Sequence, residues 1–153
     1  MNGTGQRIDI QKVAPEAYRA VFPLQKYATS GPLEASLVAL VDIRASQLNS
    51  CAWCLDMHTA EAREAGVPQR TIDLVAAWHE AGGIFSAREQ AALALTEQIT
   101  LIGEHGVTDE VWDRAAAEFD EDALVHLVMA IAVINVWNRM NVAARTDLPQ
   151  RAA

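Results

Sequence analysis

The chain has 153 residues, a formal net charge of −8 and a hydrophobic share of 51%, with few aromatic residues. A chain of this length fits one domain and can bury a core without disulfides or metals. Its acidic balance repels phosphate backbones, which argues against nucleic acid as a partner. Alanine and leucine dominate the apolar residues, and this composition favours helices packed on helices.

Two stretches of the sequence bear on where the protein resides. The first residues, Met1 to Arg7, are followed by no apolar run, so no signal peptide is predicted. The charge-free stretch near the C-terminus, from Ala123 to Asn138, is shorter than the ~20 apolar residues that a membrane span requires. These observations predict a cytoplasmic protein without a membrane partner. In such a reducing compartment a cysteine pair is more often redox-active or metal-binding than structural.

Apolar residues recur at helical spacing along the chain, and no run alternates as a strand does. The predicted fold class is therefore all-α, a single-domain bundle of about six to seven helices. Pro15 is expected to begin the first helix, and Pro23 is expected to bend it. The approximate helical ranges are 15–29, 33–48, 51–66, 68–81 and 87–102. A short helix that contains Val111 and Trp112 follows Thr108, and a last long helix after Asp120 holds residues 124–144.

Helix caps support this division of the chain. Ser50, Ser86, Thr108 and Asp120 each stand where a helix is predicted to begin, and Ser86 starts a capping-box sequence. The last helix is apolar nearly all round over residues 127–134. We therefore expect it to be the central and most buried element.

The two cysteines of the chain, Cys51 and Cys54, form a C-x-x-C motif, and His58 follows four residues after the second. Residues three and four apart share one helix face, so the three side chains point the same way. One helical turn brings the cysteine Cα atoms within the ~7 Å that a disulfide requires. The first helical turn favours a thiolate, and His58 can accept the proton of Cys54 or stabilise its thiolate. One thiol could then attack a peroxide or disulfide, and the other could resolve the product.

Two alternatives to dithiol redox chemistry stay open. A metal site would draw three ligands from this motif, but the other histidines, His79, His105 and His126, form no partner motif with the usual zinc spacing. Cysteines can also be inert core residues. The histidine on the same face and the absence of other cysteines favour redox chemistry.

The segment from Arg44 to Thr59, R-A-S-Q-L-N-S-C-A-W-C-L-D-M-H-T, closely resembles the core of alkylhydroperoxidase D (AhpD)-like proteins, which belong to the carboxymuconolactone decarboxylase superfamily. The likeness continues at 76–78, 85–89 and 134–139, which suggests one AhpD-like domain over residues 1–153. The resemblance implies an all-helical fold assembled into homotrimers or homohexamers. It also implies thiol-dependent peroxidase or disulfide-reductase activity without metal, flavin or haem. Electrons would come from a partner protein's thiols or from a lipoyl group.

The resemblance also implies roles for individual residues. In the family the second cysteine attacks the peroxide and the first resolves it, which implies Cys54 as nucleophile, Cys51 as resolving thiol and His58 in a proton relay. The family relay includes a glutamate twelve residues before the first cysteine, where this chain has Ala39. Asp42 lies one turn further along the same helix, and we hypothesise that it holds and polarises His58 instead. The alternative is that Asp42 is a solvated surface charge.

Two other side chains have more than one interpretation. Trp53 stands between the cysteines, where the best-studied relatives have a histidine, and it could cover the thiols or line a pocket for an apolar peroxide. His126 lies on the most apolar helix, and we expect it to be a core or interface histidine with a hydrogen-bond partner.

The sequence thus predicts an enzyme that reduces an alkyl hydroperoxide or a protein disulfide, with electrons from a thiol or lipoyl donor protein. One rival is a lactone decarboxylase, a branch of the superfamily that generally lacks the cysteine pair. The other is a redox sensor or interaction module with little turnover, because the relay glutamate is absent at Ala39. Peroxide-dependent turnover separates these possibilities.

Overall fold

A computed structural model describes residues 5–103 and 105–150, and all regular structure in these ranges is helical. The all-α prediction is therefore confirmed, while the predicted domain limits, residues 1 and 153, lie outside the described residues. Two 3-10 segments, Val75–Glu80 and Gly82–Ile84, lie between the helices Gln69–Leu74 and Ala87–Thr100. The α-helices are α1 (Ile10–Val13), α2 (Pro15–Arg19), α3 (Phe22–Thr29), α4 (Ala35–Leu48), α5 (Ala52–Glu64), α6 (Gln69–Leu74), α7 (Ala87–Thr100), α8 (Asp109–Glu118) and α9 (Glu121–Ala144).

The first predicted helix is two helices, α2 and α3, which are separated at Ala20 and Val21. Pro23 lies in the first turn of α3. A proline there has no intrahelical hydrogen bond to lose and its fixed φ suits a helix start, so it helps to begin a helix and does not bend one. The predicted helix over 68–81 is likewise shorter, because α6 ends at Leu74 and continues as a 3-10 segment.

Three of the four predicted caps are confirmed. The side chains of Ser86, Thr108 and Asp120 each accept a hydrogen bond from a backbone N–H in the first turn of the following helix. The capping box at Ser86 is complete, since Glu89 also accepts a bond from the backbone N–H of Ser86. The fourth cap, Ser50, is different and is described with the site.

Helix α9 is the central element, as predicted, because it packs against α3, α4, α5, α7 and α8. By length and composition alone this helix could cross a membrane, with a mean hydropathy of 1.5 in its most apolar window. More than half of that window, 56%, is buried inside the protein. Most of its apolar side chains therefore pack in the protein core, as expected of a core helix.

Glu97 on α7 joins α4 to the 3-10 segment after α6. Its Oε1 accepts hydrogen bonds from Nε of Arg44 at 2.8 Å and from Nε1 of Trp78 at 2.7 Å. Its Oε2 lies 3.1 Å from Nε2 of His79. Burial alone would raise the pKa of Glu97, but the bonds from Trp78, His79 and Arg44 together bring it below its ordinary value. The carboxylate therefore stabilises the packing of three elements.

Replacing Glu97 by glutamine is expected to reduce the free energy of unfolding by about 1.5–3 kcal/mol at pH 7, since hydrogen bonds to a charged group are lost. A carboxyl group with a lowered pKa in the folded state stabilises the protein above its ordinary pKa, and this contribution disappears as the pH falls through the folded value. Urea denaturation should show a large difference between variant and wild type at pH 7 and a small one near pH 3. Glu64→Gln, at an exposed position of α5, is the control. A difference that is the same at both pH values would contradict the assignment.

Candidate active site

Cys51 occupies the N-cap position of α5. Its backbone is extended, and its Sγ accepts a hydrogen bond from the backbone N–H of Cys54 at 3.4 Å. The prediction that Ser50 caps this helix is wrong. Ser50 has a φ of 53° and instead ends α4. Its backbone N–H donates a hydrogen bond to the carbonyl oxygen of Gln47, and the N–H of Cys51 donates one to the carbonyl oxygen of Ser46. This arrangement is a Schellman motif, which places the next residue, Cys51, at the start of α5.

The two thiols are free and buried, with 1% of Cys51 and none of Cys54 exposed. A hydrogen bond from the Cys54 thiol, assisted by backbone N–H groups at the helix start and opposed by burial, lowers the pKa of Cys51 to about 7. The same bond, together with burial and the negative charge on Cys51, raises the pKa of Cys54 above its ordinary value. The first proton of the pair is therefore lost most readily from Cys51, the sulfur at the helix N-terminus.

His58 lies one turn beyond Cys54 on α5 and is buried, with 5% exposed. Its Nδ1 lies 2.7 Å from Oε2 of Glu61 and 3.5 Å from Oδ2 of Asp42. Its Nε2 is buried and has no hydrogen-bond partner among the described residues. Burial alone would lower the pKa of His58, but the charges of Asp42 and Glu61 and the bond to Glu61 raise it above its ordinary value. The ring is thus held by two carboxylates on one nitrogen, and the other nitrogen can exchange a proton.

Asp42 on α4 is buried, with 5% exposed, so the alternative of a solvated surface charge is wrong. Burial raises the pKa of this carboxyl group to about 7, although the nearby His58 acts in the opposite direction. Ala39, one turn earlier, packs in an apolar cluster with Leu40, Ile43 and other core side chains. A glutamate at that position would place its carboxylate among apolar groups, whereas Asp42 presents its carboxylate to His58.

Three polar residues of the site were not predicted from the sequence. Glu61 lies three residues after His58 on the same helix, so the i,i+3 spacing was an available signal. Asn141 on α9 donates a hydrogen bond from Nδ2 to Sγ of Cys54 at 3.6 Å. Asn138, fully buried on the same helix, donates to Oγ of Ser46 at 3.0 Å, and its amide lowers the pKa of both thiols. Only the packing of α9 on α4 and α5 brings these two asparagines to the cysteines.

A metal ion would find a different ligand set from the one considered in the sequence. Within residues 5–103 and 105–150, Asp42, His58 and Glu61 are the group whose ligand atoms lie close enough to share an ion, all within 4.8 Å of one another. The cysteine sulfurs are not part of this set. Because Nδ1 of His58 already lies within hydrogen-bonding distance of Glu61, the arrangement is that of a histidine oriented by carboxylates.

The other histidines lie away from this cluster. His126 is buried, its Nδ1 lies 3.1 Å from the carbonyl oxygen of Tyr27, and its ring stacks on that of Tyr27 with 4.5 Å between the centroids. It is a core histidine with a hydrogen-bond partner, as predicted. His79 and His105 are exposed.

Comparison with known proteins identifies the family. The model of the carboxymuconolactone decarboxylase family matches residues 15–98, more than half of the chain, so the chain belongs to this family. The uncharacterized protein YdfG of Bacillus subtilis (strain 168) is 39% identical over 138 residues, covering 90% of this chain and 93% of that protein. Within the superfamily, the chain is an AhpD-like member.

One solved structure supports the narrower assignment, and a second shares the fold. The ATU0492 protein of Agrobacterium tumefaciens, for which an AhpD role in antioxidant defence has been suggested, is 36% identical with a TM-score of 0.91. That similarity covers 95% of this chain and 99% of the other. A peroxidase-related protein from Ralstonia eutropha JMP134, described as an alkylhydroperoxidase AhpD core, is 19% identical with a TM-score of 0.80, covering 92% of this chain and 74% of that one. This second similarity shows a shared fold.

Proposed function

We propose that this protein reduces organic hydroperoxides with the Cys51–Cys54 dithiol. The observation that carries the proposal is the buried thiol pair at the start of α5, which lies one turn away from a histidine oriented by carboxylates. Such a site offers a nucleophile, a resolving thiol and a proton carrier. Membership of a superfamily that includes AhpD-like, peroxidase-related proteins supports it.

The reaction proceeds in three balanced steps. The Cys54 thiolate attacks the terminal oxygen of the hydroperoxide, the O–O bond breaks, and the alkoxide takes up a proton and leaves as the alcohol. Cys54 is then a sulfenic acid, and the Cys51 thiolate attacks its sulfur, which forms the disulfide and releases the hydroxyl group as water after protonation. A donor dithiol reduces the disulfide by exchange, becomes oxidised itself and restores both thiols.

The site supplies the proton transfers through two groups. Cys54 already donates a hydrogen bond to Cys51, so passing this proton to Cys51 makes Cys54 the nucleophile. His58 has a raised pKa, and its Nε2 has no hydrogen-bond partner within residues 5–103 and 105–150, so it can protonate the departing oxygen. Asp42 and Glu61 keep Nδ1 of His58 engaged and so orient the ring. Asp42 thus takes over the role of the family's relay glutamate, whose position in this chain is occupied by Ala39.

Partners and assembly belong to the same proposal. The electron donor is a dithiol or lipoyl group of another protein in the cytoplasm, where a reducing environment keeps both cysteines reduced. The chain assembles as a homotrimer or homohexamer, and this assembly would cover apolar side chains that α9 exposes, such as Val125 and Val136. Light scattering of the purified protein measures the number of subunits.

Oxidation of the purified, reduced protein by cumene hydroperoxide tests the proposal. We expect loss of both thiols for each peroxide consumed, formation of the Cys51–Cys54 disulfide, and continuous turnover when dihydrolipoamide is supplied. The burial of both thiols favours a second candidate, a redox sensor whose disulfide forms once and is not recycled. Stoichiometric oxidation without turnover would support the sensor and overturn the peroxidase. Absence of any oxidation would overturn both.

A further inference from the structure

A cavity of about 180 Å³ lies between the start of α5, the end of α9 and the N-terminal segment. Trp53, Trp137 and Tyr18 contribute aromatic surface to it, and Met140 adds a flexible apolar side chain. Asn141 also lines the cavity, and its side-chain amide donates the hydrogen bond to Sγ of Cys54 at 3.6 Å. One amide side chain therefore touches both the cavity and the thiol.

The outer wall of this cavity consists of residues in the segment 6–11. Three hydrogen bonds attach the segment to the C-terminal end of α9 and the residues after it. The backbone N–H of Arg7 donates to the carbonyl oxygen of Ala144 at 2.8 Å, and the Arg7 guanidinium donates to the carbonyl oxygen of Ala143 at 3.3 Å. The backbone N–H of Asp147 donates to the side-chain oxygen of Gln6 at 3.4 Å. The two side-chain bonds are exposed, and the segment buries no side chain fully. Moving this segment away from the cavity therefore requires less free energy than separating the helices that enclose the thiols on the other sides.

Size and charge restrict what the cavity can hold. A protein cavity of about 150 Å³ accommodates benzene, so this one fits a single aromatic ring or a short branched alkyl group. The aromatic and methionine side chains provide flat, adaptable apolar contacts for such a group. The lining also includes Asp9, and the chain carries a net charge of −8, so an anionic ligand is repelled. The ligand is therefore a neutral molecule of about one ring.

We propose that this cavity binds the organic group of a neutral hydroperoxide with one aromatic ring or a short branched alkyl chain, and that Asn141 directs the peroxide oxygens toward Cys54. The inference rests on the proposed peroxidase function and names its substrate class. Asn141 can donate a hydrogen bond to the leaving oxygen as readily as to the thiol sulfur, because the amide already reaches between them. A bulky lipid hydroperoxide is larger than the cavity of about 180 Å³, and the carboxylate of a fatty acid is disfavoured by the like charge of Asp9.

Binding of a product analogue tests the cavity without requiring turnover. 2-Phenyl-2-propanol, the alcohol formed from cumene hydroperoxide, is titrated into the reduced protein while the indole N–H resonances are followed by NMR. We expect saturable shifts at Trp53 and Trp137, which line the cavity, and none at Trp78 and Trp112, which do not. A para-carboxylate analogue is expected to bind about fivefold more weakly, because like charges repel. Uniform shifts, or no saturation, would overturn the site, and equal binding of the carboxylate would overturn the neutral class.

Filling the cavity tests its link to the reaction. In Met140→Trp, the ratio of the rate constants for thiol oxidation by cumene hydroperoxide and by hydrogen peroxide is expected to fall at least about tenfold. Val142→Trp, exposed on the same helix and outside the cavity lining, is the matched control and should keep the wild-type ratio. Ile8→Trp makes the same test from the outer wall, where a larger side chain does not disturb the bundle.

The two proposals fail in different ways. An unchanged ratio in both cavity variants would overturn the substrate site while the peroxidase function stands. Alcohol binding at Trp53 and Trp137 together with no peroxide oxidation would overturn the peroxidase function and leave only the cavity. Preference for cumene hydroperoxide that disappears in Met140→Trp and Ile8→Trp, but not in Val142→Trp, supports both.

Discussion

Replacing Cys54 by serine is expected to reduce peroxide consumption by at least about 10³-fold, because the attacking sulfur is removed. Replacing Cys51 by serine is expected to leave one oxidation per chain but no disulfide and no recycling by dihydrolipoamide. In Cys51→Ser the pKa of Cys54 should also fall toward that of an ordinary thiol, because the thiolate that raised it is gone. Stopped-flow oxidation and trapping of sulfenic acid with a dimedone reagent, read by mass spectrometry, distinguish the two variants.

The lowered pKa of Cys51 makes this test decisive. If the more acidic thiol were the attacking one, Cys54→Ser would form the trapped sulfenic acid and Cys51→Ser would be inert, which is the reverse of our expectation. The position of Asn141 between the cavity and Cys54 favours Cys54 as the attacking thiol. In the wild type, the oxidation rate should rise as the pH increases through about 7, the pKa of Cys51, because the pair must hold one negative charge before either sulfur reacts.

Local spacing was sufficient to predict much of the site. Cys54 and His58 lie one turn apart on α5 as the four-residue interval predicts, and Cys51 caps this helix with its sulfur beside Cys54. Asp42 reaches His58 from α4. Helical periodicity also identified α9 as the central helix. Such features depend on residues close in sequence or on the apolar content of one element, which a single sequence displays.

Contacts between distant segments were beyond sequence reasoning. Asn138 and Asn141 reach the cysteines across more than eighty residues of sequence, and no local pattern separates them from other asparagines. The segment 6–11 packs beside the end of α9 through a few hydrogen bonds, which leave no periodic signal. The error at Ser50 has a local cause. A serine before a helix is a good cap, but the closure of α4 required a residue in the left-handed region at this position.

Replacing Asp42 by asparagine is expected to slow peroxide turnover and to stabilise the protein at the same time. Turnover should fall about 10²-fold, the lower end of what general acid–base assistance contributes, because Glu61 still engages His58.

In the wild type, burial raises the pKa of Asp42 to about 7, so the folded state holds a proton that the unfolded state has released between about pH 4 and 7. Stability from this group is therefore lost as the pH rises through that window. Asparagine lacks this ionisation, and the free energy of unfolding should exceed that of the wild type by about 1–4 kcal/mol at pH 8.

The opposite signs of the two effects separate a role in the reaction from a structural one. Thermal and urea denaturation at pH 8 and pH 4.5 should show the stability gain at the higher pH and little difference at the lower. Asp113→Asn, at an exposed position on α8, is the control and should change neither property. A variant that loses both activity and stability would make Asp42 a structural residue. If turnover and the titration of the thiol pair are both unchanged in Asp42→Asn, another group orients His58. Glu61 is then that group, and Glu61→Gln is the variant in which peroxide turnover should fall.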